Sequence, residues 1–88
     1  MNVKNKLEEL CKKYKFRKYR VVEDENQVII IGICNPEDLV NFKAELYMDK
    51  DIKREFPVLV CEELPIHNEQ YLFIEYKLLK EKMTLPYG

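Results

Sequence analysis

Gln27–Cys34 reads QVIIIGIC, and the fold turns on it. Three consecutive isoleucines and a valine favour extended backbone, because β-branched side chains pack well on a pleated surface. The run is apolar at odd and even positions alike, so it is predicted to be a strand covered on both sides and central in its sheet. Gly32, lacking a side chain in mid-strand, marks a close approach of backbone or of a partner.

Toward the N-terminus, Glu23-Asp24-Glu25-Asn26 is a polar turn. Before it, Tyr19 and Val21 alternate with Lys18, Arg20 and Val22, the period of a half-buried strand. The short connection makes the two strands an antiparallel hairpin. Further back, Val3, Leu7, Leu10, Cys11 and Tyr14 fall on one stripe of a helix, with Asn2 placed to cap it.

Toward the C-terminus, Asn35-Pro36-Glu37-Asp38 starts a second helix. Asn caps, Pro fits the first helical position, and two acids sit at the positive end of the dipole. This helix is expected from Pro36 to near Phe56, with Leu39, Phe42, Leu46, Ile52 and Phe56 on its core side. Its phase slips around Asp49–Asp51, which predicts a kink or break. A rival reading takes Phe42, Ala44, Leu46 and Met48 as an alternating strand.

Val58–Leu64 reads as a third strand ended by Pro65, with Pro65–Gln70 a loop. Tyr71–Leu79 alternates, Leu72, Ile74, Tyr76 and Leu78 against Phe73, Glu75 and Lys77, and is read as a fourth strand. Leu72, Tyr76, Leu79 and Met83 also fit helical spacing.

The fold class is therefore α+β: a two-layer α-β-β-α-β-β domain with a mainly antiparallel four-stranded sheet and two helices on one face, a helical C-terminal segment being the alternative. Residues 1–88 hold one small domain, with residues 83–88 a loose tail. The longest apolar stretch, Val28–Cys34, is far below the roughly 20 residues that cross a bilayer. No hydrophobic leader with a small-residue cleavage site is expected, and Cys11, Cys34 and Cys61 are isolated and odd in number. A reduced, cytoplasmic protein with no membrane partner is the expectation.

Charge carries the functional signal. Lys12–Arg20 reads KKYKFRKYR, six cations and three aromatics without an acid. The first twenty residues hold eight Lys or Arg against Glu8 and Glu9, while residues 21–88 hold seven against fourteen acids. Lys12, Lys13, Lys15, Arg17, Lys18 and Arg20 are accordingly the candidate nucleic-acid-binding residues, positioning phosphates at the corner where helix one meets strand one. RNA and DNA are equally compatible with them. An acidic protein surface is the alternative partner, making the chain an adaptor or inhibitor module. Pairing of these cations with the chain's own acids at Glu23–Glu25 is the bland explanation.

A second candidate is the far face of the sheet. With Ile29, Ile31 and Ile33 turned to the helices, Val28, Ile30, Gly32, Tyr71 and Phe73 would face away and form an apolar patch that a homodimer covers. Aromatic rings there could alternatively receive RNA bases.

Chemistry is sparsely signalled. Glu75-Tyr76-Lys77 matches the E-x-K element of metal-dependent nucleases, with Glu62 or Glu63 as a further acid. The triplet is common by chance in a chain rich in Glu and Lys. His67 is the only histidine, there is no paired C-x₂₋₄-C spacing, and no glycine-rich phosphate cradle is present. No cofactor or metal is implied, and a non-enzymatic binding protein is the reading.

Overall fold

A computed structural model describes residues 2–66, 68 and 70–80. The elements run α1 (Val3–Lys13), β1 (Lys18–Glu23), β2 (Gln27–Cys34), α2 (Pro36–Met48), α3 (Lys50–Glu55), β3 (Val58–Ile66) and β4 (Tyr71–Leu79). The four strands form one sheet in the order β1-β2-β4-β3, every neighbouring pair antiparallel. This is the expected α+β architecture, and the C-terminal segment is a strand rather than the alternative helix. The expected tail, residues 83–88, lies outside the described residues.

Local chemistry sets the element ends. Asn2 Oδ1 accepts from the Asn5 amide at 3.1 Å, and Asn35 Oδ1 accepts from the Glu37 amide at 2.8 Å, so both expected caps form. The expected break falls at Asp49. Its Oδ1 accepts from the Ile52 amide at 3.0 Å and starts α3, while its other oxygen pairs with Lys6 of α1. Burial raises the Asp49 carboxyl, but Lys6 and the Ile52 amide prevail and hold it below its ordinary value. The rival strand reading of Phe42–Met48 does not hold, because Phe42 and Leu46 belong to the buried stripe of α2.

The core lies between the helices and one sheet face. Leu7, Phe42, Val28, Ile30, Ile74 and Tyr76 are fully buried, and the Phe16, Tyr14 and Tyr76 rings surround Phe42 at 4.8, 6.4 and 6.2 Å. Two sequence expectations are corrected here. Val28, Ile30 and Gly32 face the helices, not away from them, and Ile29, Ile31 and Ile33 take the far face. The reason is steric: the Phe16 ring packs against Gly32, where a Cβ would meet Phe16 Cδ2 at 2.8 Å and the Lys18 carbonyl oxygen at 3.0 Å. The close approach that Gly32 signals is thus an internal ring. The second correction concerns Pro65, which does not end β3. Pro65 pairs with Leu72 and Ile66 with Tyr71, which an edge strand permits because one side of it needs no ladder donor.

Among the described residues no helix is long and apolar enough to cross a membrane.

Candidate nucleic-acid interface

The corner between α1 and β1 is built by the way α1 ends. The Phe16 amide donates to the Cys11 carbonyl at 3.0 Å and the Lys15 amide to the Lys12 carbonyl at 3.1 Å, closing a Schellman turn. Lys15 occupies its left-handed position with φ of 58°, a place that usually takes glycine. Phe16 then drops into the core, and the Arg17 amide donates to the Ile33 carbonyl at 2.8 Å to start the sheet. The chain reverses within three residues, which gathers the helix-end cations beside those of the strand.

The six cations divide into three groups. Lys12 and Lys13 sit in the last turn of α1, and Lys15 lies beyond the helix rather than on it. Arg17 stands over the Tyr71 ring, its guanidinium carbon 4.8 Å from the centroid, and donates to the Tyr71 hydroxyl. Lys18 and Arg20 are exposed on the uncovered sheet face, level with Ile33 and Ile31.

Among the described residues, the acids leave most of this charge unmatched. Lys13 Nζ lies 2.7 Å from Glu45 Oε1, and the Tyr14 hydroxyl donates to the same oxygen at 2.5 Å. The two donors hold the Glu45 carboxyl below its ordinary value, Lys13 first and Tyr14 second. Among the described residues, Lys12, Lys15, Arg17, Lys18 and Arg20 have no carboxylate within ion-pair distance. The expected pairing with Glu23–Glu25 does not occur. Asp24 instead accepts from the Asn26 and Gln27 amides within its own turn, at 2.9 and 3.2 Å.

A cleft of about 400 Å³ opens at this corner, lined by Arg17, Lys18, Ile33, Ile66, Gln70 and Tyr71. A shallower depression of about 260 Å³ continues it across the sheet between Arg20 and Phe73. Of the expected patch residues, only Tyr71 and Phe73 border this surface with their side chains; Val28, Ile30 and Gly32 are buried behind it.

The remaining candidates are not assembled into a site. Glu75 and Lys77 pair with each other on the uncovered face at 3.5 Å, and Glu62 stands directly opposite Glu75. Glu63 points the other way, where its carboxylate accepts from the buried Tyr76 hydroxyl and from Lys43 at 2.9 Å. Among the described residues no three acids, cysteines or histidines are grouped to hold a metal. His67 lies outside them. The three thiols are free, and burial raises Cys11 to about 12 and Cys34 to about 11, which keeps them protonated and unreactive.

Three features escaped the sequence reading: the buried Phe16, the left-handed Lys15 and the Tyr76–Glu63–Lys43 network. A signal for the last existed, since a tyrosine placed inward on a central strand needs an acceptor for its hydroxyl. Compared with protein-family models, curated proteins and solved structures, the chain matches none.

Proposed function

We propose that this chain is a small non-enzymatic binding protein that contacts nucleic acid through its α1–β1 corner. The observation that carries this reading is the unmatched charge: five cations close together in the fold, without a carboxylate partner among the described residues. Such a field attracts a phosphate backbone, whose neutralisation releases condensed counterions. Lys12, Lys15, Arg17 and Lys18 would contact phosphates, and the Arg17–Tyr71 pair beside the cleft offers a flat surface for an exposed base. Arg20 sits one row further in, on the open face itself. The free thiols suit a reducing compartment such as the cytoplasm.

Titration of labelled single-stranded RNA and DNA over a salt series tests this. Binding that weakens as salt rises is expected, with the slope of log K against log salt falling by about 0.7 for each phosphate-contacting cation replaced. Arg17→Ala should also weaken binding at high salt, through the lost stacking surface. Absence of binding at about 50 mM salt overturns the reading, because phosphate contacts are strongest when salt is low. Salt-sensitive capture of an acidic protein by a chain that ignores both nucleic acids would transfer the corner to a protein partner.

A further inference from the structure

Beyond the margin at Lys18, Ile33 and Tyr71 that lines the corner cleft, the uncovered sheet face is left unused by corner binding. It carries Ile29, Ile31 and Ile33 of β2, Phe73 of β4 and Leu64 of β3, the last 59% exposed. Its charges are ordered across the sheet. The register places Arg20, Ile31, Glu75 and Glu62 in one row from the β1 edge to the β3 edge. Base therefore stands at one edge and acid at the other, about 14 Å apart at strand spacing, too far to pair within the chain.

We infer that this face receives a second copy of the chain, related by a half-turn about an axis parallel to the strands. That rotation keeps each row level and reverses its order, so β1 lies over β3 and β2 over β4 of the second copy. Arg20 then faces Glu62 of the second copy, and Ile33 faces Phe73 of the second copy. Each contact occurs twice, as a two-fold requires. Face-to-face sheets stand about 10 Å apart, a gap that an arginine and a glutamate span together. Glu75 meets isoleucine in this arrangement, but its charge is already matched by Lys77. A half-turn about the perpendicular in-plane axis would lay β1 on β1 and bring Arg20 against its own copy, which like charge disfavours.

The area fits a weak, concentration-dependent association. Four strands paired over some seven residues present a face of ~19 by ~23 Å. Two such faces remove about 900 Å² of accessible surface, the size of a transient contact rather than of a standard interface. Lys12 and Lys15, at the end of α1, stay outside the contact, while Lys18 at the rim of the face stands level with Leu64 of the second copy and keeps its ammonium toward solvent, so the dimer presents two basic corners at the same end.

Sedimentation equilibrium on nuclease-treated protein, from low to high micromolar concentration, tests the arrangement. Twice the chain mass is expected at the upper end. Arg20→Glu and Glu62→Arg should each weaken association by about tenfold or more, and their combination should restore it, because the swapped charges again face each other. Both positions are exposed, and matching urea midpoints for dilute monomer would confirm that each variant folds. A monomer at every concentration overturns the inference, as does a dimer indifferent to the single reversals or not restored by the swap. A monomer whose Ile31 and Phe73 are protected by an oligonucleotide would give the face to nucleic acid and overturn it equally.

Discussion

The two faces of the sheet are made from nearly the same residues and live in different surroundings. On β2 the covered face has Val28, Ile30, Gly32 and Cys34, and the open face has Ile29, Ile31 and Ile33. By hydrophobicity the open set is the stronger candidate for the core. It loses because a helix must approach the sheet closely, and only the face with Gly32 lets the Phe16 ring down onto the backbone. Burial on a strand that is apolar on both sides is thus decided by shape, not by transfer free energy.

Adjacent isoleucines give the largest contrast. Ile30→Ala should cost about 2–5 kcal/mol, since Ile30 is fully buried, whereas Ile31→Ala should cost under about 1.5 kcal/mol in dilute monomer. Urea unfolding measures both, and equal costs at low concentration would deny that the open face is open. A growing cost of Ile31→Ala at high concentration would report its coverage by a second copy.

Gly32→Ala sharpens the steric half of the contrast. A methyl 2.8 Å from Phe16 Cδ2 and 3.0 Å from a carbonyl oxygen should destabilise by about 1–3 kcal/mol. In a Phe16→Leu background the penalty should shrink by at least about 0.5 kcal/mol, because the more flexible side chain yields. Strict additivity of the two changes would show that the ring does not fix the face.

Next in size is an effect of pH on the covered side. The hydrogen bond from the Tyr76 hydroxyl lowers the Glu63 carboxyl most, burial opposes it, Lys43 lowers it further, and the balance lies below its ordinary value of 4.5. A folded-state value below the unfolded one means stability that is present above the ordinary carboxylate range and is lost as pH falls through the folded value. Asp49, held down by Lys6, adds to the same acid loss. Glu63→Gln should remove about 1 kcal/mol at neutral pH and flatten the decline between neutral and acid, read from urea midpoints along a pH series. An unchanged slope would mean that the network carries no linked proton.

Lys15→Gly should produce the smallest change, and in the opposite direction. Relieving a lysine at φ of 58° should stabilise the fold by about 0.5–1 kcal/mol, while the lost cation lowers the salt slope of oligonucleotide binding. Gain in stability with no loss of salt dependence would separate Lys15 from the binding corner.

Much of this was legible in the residues. Asn2, Asn35-Pro36 and Asp49 mark helix starts through chemistry that acts within three or four positions, and the structure places caps at all three. The strand phase of β2 was legible too, though by a longer route. A tight turn at Asp24–Gln27 sets Val21 opposite Ile30 and Tyr19 opposite Gly32, and directly opposed residues share a face. Reading β1 as inward at Tyr19 and Val21 therefore already commits β2 to Ile30 and Gly32 inward, and the expectation of the reverse conflicts with the hairpin itself. Phe16, hidden among cations, and the pairing of Tyr76 with Glu63 depend on contacts between distant segments. No local period encodes them.

The functional account rests most directly on where a polyanion touches the chain. Backbone amide spectra recorded during titration with a single-stranded oligonucleotide, at about 50 mM salt, locate that contact. The expected result is a set of shifts centred on Lys12–Lys18 and Tyr71, with the covered face silent. Spectra that do not move, or shifts that begin on the acidic side of the molecule at Glu62 and Glu75, would contradict it.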